Sequence, residues 1–176
     1  MRTVVLCHAV PDFANLSISK SQDRIFEKGK RLLFAPDAVA LEAALQAKQA
    51  GDEVIALAWG EEANREVLKR PIAMGADRAV WTAGDPAAAA KALGAEVVYG
   101  STESPLGANV LPSRVGGELG LAEDRVRLVA PGAASPRIPN ALALMKAAKR
   151  PVESVEVPAR DLFVRRWATL LAAEDA

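Results

Sequence analysis

The chain has 176 residues, of which 51% are hydrophobic, and its 22 basic and 22 acidic residues give a formal net charge of zero. This balance argues against a nucleic-acid-binding surface and against a polybasic membrane-binding face. One cysteine and one histidine exclude an internal disulfide and nearly exclude a conventional zinc site. No apolar run approaches the roughly 20 residues of a membrane span, and the first run is too short for a signal peptide. We therefore expect a cytoplasmic protein without membrane or nucleic-acid partners.

Apolar runs and turn-forming residues predict alternating strands and helices along most of the chain. The strands lack a clean alternation of apolar and polar residues, which is typical of a parallel sheet covered on both faces. The sequence first predicts a strand at 3–10, a loose hairpin within 13–34, and a helix that begins at Pro36 and Asp37 and ends before Gly51. It then predicts a strand at 52–60, a helix that Pro71 ends or kinks, a strand at 78–82 and a helix at 85–93. The last elements are a strand at 96–100, a helix at 109–119 with Pro112 in its first turn, and a strand at 126–131.

These elements predict a doubly wound α/β fold with a mainly parallel, five-stranded sheet in residues 1–131. Residues 132–176 do not continue the regular alternation of strands and helices, and they predict a C-terminal extension with a helical, partner-binding arm. The extension holds a short helical run with a basic end, followed by an extended segment. Near the C-terminus an apolar stripe recurs at i, i+4, i+7 and i+8, formed by Phe163, Trp167, Leu170 and Leu171.

Ligands of doubly wound sheets bind beyond the carboxyl ends of the strands, where the strand order reverses. This rule places residues 8–10, 59–60 and 100–108 around one crevice. The glycine-rich loop at 100–108 has a composition that suits phosphate binding, but such a loop is more often a plain connector, and Glu103 places a negative charge there. Neither a G-x-G-x-x-G motif nor a P-loop is present. Trp59 either stacks on a ligand ring or caps the sheet.

Cys7 and His8 are the one pair whose chemistry suggests catalysis. Neighbouring residues on a strand point to opposite faces, so the two side chains are not expected to meet. We expect Cys7 in the core and His8 facing the crevice, and we predict no catalytic residue. Asp77 and Arg78, at the start of a strand, are expected to form local caps and ion pairs.

Five segments resemble, in order, the β subunit of electron transfer flavoprotein. They are HAVPD (8–12), PDAVALEAALQAK (36–48), EVIALAWG (53–60), AMGADRAV (73–80) and SPRIPNALALMKAAKRP (135–151). The resemblance covers most of the chain and implies an adenine nucleotide alpha hydrolase-like fold. It also implies a structural AMP and an α subunit partner that makes most of the contacts to FAD. In that family the β subunit performs no catalysis, and the complex carries electrons between dehydrogenases and a quinone reductase.

Three departures from the family pattern alter these expectations. The stretch between Gly120 and Pro136 is too short for the strands that usually lie there. The AMP loop of the family is rich in Asp, Gln and Gly, whereas this chain has apolar residues and prolines. The segment GANVLPSRVGGEL (107–119) resembles the α subunit instead, in which this domain holds no AMP. We therefore expect a nucleotide-binding loop that has lost part of its phosphate-binding groups.

The resemblance also assigns candidate sites. The cofactor-binding candidates are Leu6, Cys7, His8, Phe34, Trp59, Gly60, Gly100, Ser101, Gly107, Asn109 and Ser113. The anchor leucine of the family aligns with Ala141, so the partner-binding candidates are the adjacent Leu142 and the stripe of Phe163, Trp167, Leu170 and Leu171. Whether AMP, FAD shared with a partner, or neither is bound stays open at this point.

The resulting hypothesis is an electron transfer flavoprotein β-like subunit that binds an α-like flavoprotein. The alternative is a stand-alone adenine-nucleotide-binding module of the universal-stress type, in which the arm seals a homodimer. One apolar stripe does not distinguish self-association from binding to another chain. An enzyme that uses Cys7 or His8 is the least favoured hypothesis.

Overall fold

The computed structural model describes residues 1–19, 24–27 and 30–159, with backbone only for 15–19 and 24–27. Its strands are β1 (Arg2–Leu6), β2 (Ala9–Val10), β3 (Leu16–Ser19), β4 (Arg24–Glu27), β5 (Leu32–Leu33), β6 (Glu53–Trp59), β7 (Arg78–Thr82), β8 (Val97–Ser101), β9 (Glu103–Ser104), β10 (Gly107–Ala108), β11 (Val126–Val129) and β12 (Glu153–Ser154). Its α-helices are α1 (Ala35–Ala47), α2 (Lys69–Met74), α3 (Pro86–Ala92), α4 (Leu111–Leu119) and α5 (Ala141–Lys149). Short 3-10 helices cover Phe13–Asn15, Glu62–Leu68 and Glu123–Arg125.

Six parallel strands form the central sheet, in the order β11-β8-β1-β6-β7-β12. On the central strand, Val4 pairs with Ile55 of β6 on one side and with Val98 of β8 on the other. The strands predicted at 52–60, 78–82, 96–100 and 126–131 are all in this sheet, and the α/β fold class is confirmed. The strand predicted at 3–10 is divided: β1 ends at Leu6, and Ala9–Val10 form β2, which pairs antiparallel with β5 outside the central sheet. The predicted hairpin is also present, as the antiparallel pair β3 and β4. The sixth strand, β12, lies in a segment for which the sequence predicted only an extended chain.

The helices cover the sheet on both faces. Val5 and Cys7 belong to the core cluster that includes residues of α1, α2 and α5, whereas Val4 and Leu6 belong to the cluster that includes residues of α3 and α4. All four side chains are at most 1% exposed. Because both faces of β1 are buried from Val4 to Leu6, this part of the strand is apolar, as expected for the centre of a parallel sheet.

The helical segment continues through Pro71 and does not end there. The 3-10 helix Glu62–Leu68 leads directly into α2, and Pro71 occupies the first turn of α2, where its missing N–H leaves no bond unmade. The helix ends at Gly75, whose φ of 118° gives the left-handed conformation that glycine accepts without strain. The predicted start of α1 beside Pro36 is confirmed, and so is Pro112 in the first turn of α4.

The segment that follows β11 is fastened to α1 by an ion pair between buried Glu42 and half-exposed Arg137. Arg137 donates from Nε to Oε2 and from Nη2 to Oε1 of Glu42, both at 2.8 Å, and its backbone N–H donates to Oε2 at 3.1 Å. Glu42 is 3% exposed. The chain then continues through α5, which packs on α2, to β12, which pairs with β7. None of the helices in the described part of the chain is long and apolar enough to cross a membrane.

Candidate binding site at the carboxyl edge of the sheet

The strand order reverses at β1, which lies between β6 and β8. All three strands are parallel, so their carboxyl ends, at Leu6, Trp59 and Ser101, lie at the same edge of the sheet. The topology therefore places the three segments predicted to form the crevice along one edge. Side-chain contacts join His8 and Trp59 directly, and the loop at 100–108 lies on the β8 side of the same edge.

His8 is oriented by a buried carboxylate. Its ring Nδ1 lies 2.9 Å from Oδ2 of Asp37, and its backbone N–H donates to the same oxygen at 2.6 Å. The chain is held in place on both sides of this pair, because the Phe34 N–H donates to the His8 carbonyl and the Asp37 N–H donates to the Phe34 carbonyl. When the neutral ring donates from Nδ1, Nε2 is left as a hydrogen-bond acceptor.

Asp37 is enclosed completely, with 0% of its surface exposed. Within the described residues its second oxygen, Oδ1, has no hydrogen-bond partner. Burial raises the pKa of Asp37 above its usual value, and the hydrogen bonds from His8 oppose this rise. The first turn of α1 also favours a negative charge at this position. The carboxylate is thus suited to holding the imidazole in one orientation.

Two aromatic rings flank the imidazole. The centroids of His8 and Trp59 are 4.8 Å apart at an interplanar angle of 71°, and those of His8 and Phe34 are 6.1 Å apart at 77°. Both are edge-to-face arrangements. Trp59 therefore contacts a protein ring, and it also packs against the apolar cluster on the α3 and α4 face. The half-buried rings and Nε2 of His8 are the groups at this edge that could contact a planar heterocycle.

A polar network continues the site beyond Trp59. The Asn64 side chain donates to the Trp59 carbonyl at 2.8 Å and accepts from Arg31 at 2.9 Å. Arg31 also donates to Glu61 at 3.1 Å. Gly60 has φ of 92°, and a Cβ there would lie 3.1 Å from the Asn64 amide. Gly60 is therefore required by the turn and by the position of Asn64.

The predicted phosphate-binding loop uses its polar groups within the fold. A Cβ on Gly100 would lie 2.4 Å from Cγ of Pro112, so this glycine allows α4 to approach β8 closely. Ser101 is 0% exposed, and its hydroxyl accepts from the Glu103 N–H. Asn109 donates to the Ser101 carbonyl and accepts from a backbone N–H of α4. These contacts do not fit a phosphate cradle.

The other predicted cofactor-binding residues have different surroundings. Leu6 and Cys7 are core side chains, as expected for Cys7, so only their backbone could reach a ligand. Burial raises the pKa of the Cys7 thiol well above its usual value. Gly107 lies in the short hairpin of β9 and β10, with φ of 126°, and Ser113 is exposed on α4.

Among the predicted partner-binding residues, Leu142 is 59% exposed on α5. The stripe formed by Phe163, Trp167, Leu170 and Leu171 lies outside the described residues. As expected, Asp77 and Arg78 have structural roles: Asp77 binds Lys48 and the Val54 N–H, and Arg78 pairs with glutamates of neighbouring strands.

Sequence reasoning missed the most buried polar residue of the site. Asp37 was interpreted only as a residue that starts α1, because an acid in the first turn of a helix is common on the surface. Asp37 lies close to His8 because the chain turns between β5 and α1, and the sequence alone does not show this turn. Asn64 and Arg31 were missed for a similar reason, since their contacts join segments that are distant in the sequence.

Sequence comparison adds no family assignment. No protein-family model matches the chain, and no curated protein matches it closely.

Proposed function

We propose that this chain is an electron transfer flavoprotein β-like subunit that supports electron transfer by binding a flavoprotein partner. The ordered resemblance over residues 8–151 motivates the proposal. The observation that carries it is the outward face of α5, where Leu142 and Met145 are 59% and 64% exposed. Residues three apart share one face of a helix, so these side chains form a joint apolar surface. FAD, contacted mainly by the partner, would supply the redox chemistry.

The helix that presents this face is fastened to the rest of the fold by its inner side and its C-terminal end. Ala147, on the inner side of α5, is 2% exposed. Lys69 of α2 donates to the carbonyl of Arg150 at 2.7 Å, and the Arg150 guanidinium donates to the carbonyl of Asp77 at 2.6 Å. A preformed apolar surface loses little conformational entropy on binding, which favours docking of a protein partner.

The test is recovery of the tagged full-length chain from native extract, with flavin measured in the complex by absorbance. We expect a flavin-containing partner with the unaltered chain, and loss of that partner with Leu142→Asp at an unchanged melting temperature. Leu128→Asp, at a side chain that is 47% exposed on β11, is the matched control and should retain the partner. Recovery of a flavin-free chain without a partner would contradict the proposal.

One observation favours the second candidate, a stand-alone adenine-nucleotide-binding module. The oriented His8 ring, flanked by Phe34 and Trp59, lies where the strand order reverses, at the usual ligand position of such sheets. The loop at 100–108 weakens this candidate because the backbone N–H groups of Thr102, Glu103 and Leu106 already donate within the fold. Denaturing the purified protein and assaying the supernatant for AMP and ATP separates the two. Stoichiometric nucleotide without a flavin partner would favour the module.

A further inference from the structure

An open groove of about 690 Å³ lies between the segment that precedes α1 and the packed helices α2 and α5. We call it the cationic groove. Its apolar wall includes Leu32, Leu144 and Ala148. Its charged residues are Lys30, Arg31, Lys69, Arg70 and Glu66. The cationic groove differs from the outward face of α5, because Leu144 lies about 200° around that helix from Leu142.

The charge of the cationic groove differs sharply from that of the chain. It is lined by four cationic side chains and one carboxylate, whereas the whole chain has a formal net charge of zero. Lys30, whose side chain is 84% exposed, lies 3.8 Å from the carboxylate of Glu66, so that single acid is shared with a neighbouring cation. A local excess of positive charge of this kind attracts an acidic ligand and aligns it during approach.

The cations are spread along the rim and do not converge on one point. Lys69 is directed to the end of α5, where it donates to the carbonyls of Ala148 at 3.3 Å and Arg150 at 2.7 Å. Arg31 is directed the other way, to Asn64 and Glu61. A small anion is bound best by donors that converge on it. The spacing here suits several carboxylates distributed along an extended ligand.

Exposed leucines give the cationic groove an apolar surface as well. Leu32 is 48% exposed and Leu144 is 43% exposed, and they come from elements on either side of the groove. Large apolar side chains that face each other across a groove, with charges at the rim, are typical of sites that bind an amphipathic peptide segment.

We propose that the cationic groove binds an acidic amphipathic segment of a partner protein. Apolar side chains of that segment contact Leu32 and Leu144, and its carboxylates lie towards Lys30 and Arg70. The proposal goes beyond the function proposed above, because it requires no flavin and uses a different side of α5.

The first test measures binding of a defined probe to the full-length chain. A fluorescein-labelled peptide of repeated Glu-Leu-Leu-Glu units should bind, as read by anisotropy, and the same peptide with Lys for Glu should not. Arg70→Glu and Lys30→Glu should each weaken binding by at least about fivefold, the value expected for one exposed charge pair. Leu144→Asp should weaken it similarly. Arg127→Glu, at an exposed cation that lines a different pocket, is the control and should bind like the unaltered chain.

These outcomes decide the proposal. Absence of binding by the acidic peptide overturns it, and so does binding by the Arg70→Glu and Lys30→Glu variants that equals binding by the unaltered chain. Lys30 is so exposed that its substitution should leave the melting temperature unchanged, so a folding defect cannot explain a loss of binding there.

The second test identifies the occupant. A photo-crosslinking amino acid in place of Leu144, in the full-length chain in cells, should give an adduct to an acidic, leucine-rich segment of another protein, and the acidic peptide should compete with it in lysate. An adduct to residues 160–176 of the same chain, or to a second copy, overturns the proposal. The presence of flavin in the complex tests the electron-transfer proposal separately.

Discussion

Replacing Glu42 by Gln tests how strongly its ion pair with Arg137 fastens the chain after β11 to α1. The substitution keeps the size of the side chain but removes the charge that binds the Nε and Nη2 groups of Arg137. It also presents an amide NH₂ to a guanidinium, which has no acceptor. We therefore expect a loss of stability without a change of fold.

The magnitude follows from the pKa of Glu42. Hydrogen bonds from Arg137 lower this pKa from 4.5 to about 2. At about 1.4 kcal/mol per pH unit, this shift sets an upper limit of about 3.5 kcal/mol. The Arg137 side chain is 51% exposed, so solvent screens part of the interaction. We expect the free energy of unfolding to fall by about 2 kcal/mol, which corresponds to a urea midpoint lower by about 1 M.

Urea denaturation followed by circular dichroism, at several pH values, is the assay. Since the folded pKa lies below the unfolded one, the contribution of Glu42 is present above about pH 4.5 and is lost as the pH falls towards 2. The difference between the unaltered chain and the Glu42→Gln variant should therefore shrink in acid. Glu62→Gln is the control: Glu62 is 82% exposed and pairs with Arg65 at 3.8 Å, so a change within about 0.5 kcal/mol is expected. Equal effects of the two substitutions, or a pH-independent difference, would refute the reasoning.

Three further predictions concern the carboxyl edge of the sheet and the core. Gly100→Ala should destabilise the protein by about 1–3 kcal/mol in urea denaturation because its Cβ would clash with α4, whereas Gly117→Ala, with open space around it, should be neutral or stabilising. His8→Ala should cost about 1–3 kcal/mol in urea denaturation because it removes the ring hydrogen bond to the buried carboxyl of Asp37, and a change within about 0.5 kcal/mol would contradict this. Cys7, the sole cysteine, should react with a thiol reagent only at the rate of unfolding, and rapid labelling of the native protein would contradict its burial.

The long strands could be predicted from the sequence because their side chains are buried on both faces. β1 and β6 are runs of apolar residues that end at turn-forming residues, and local composition is enough to find them. β12 has two residues and is defined by its pairing with Val80 and Trp81 of β7. Nothing in its own sequence distinguishes it from another extended segment, since that pairing depends on the path of the whole chain.

The site could be predicted only in part. The switch point follows from strand order, so the positions of His8 and Trp59 were within reach of the sequence. The burial of Asp37 was not, because its depth depends on how α1 packs over the sheet. Gly100 is a case in which the sequence suggested too much. A glycine at the end of a strand suggests a ligand, yet the structure uses Gly100 for close contact with Pro112. Composition does not distinguish these two uses.

The place of β12 beside β7 has a consequence for how the protein matures during translation. The chain lays down β7 more than seventy residues before the strand that covers its outer side. Until residue 154 has left the ribosome, the outer side of β7 is an open sheet edge with unpaired backbone amides and carbonyls. Such an edge can pair with another polypeptide chain. A cell that produces this protein quickly would need chaperones to shield that margin.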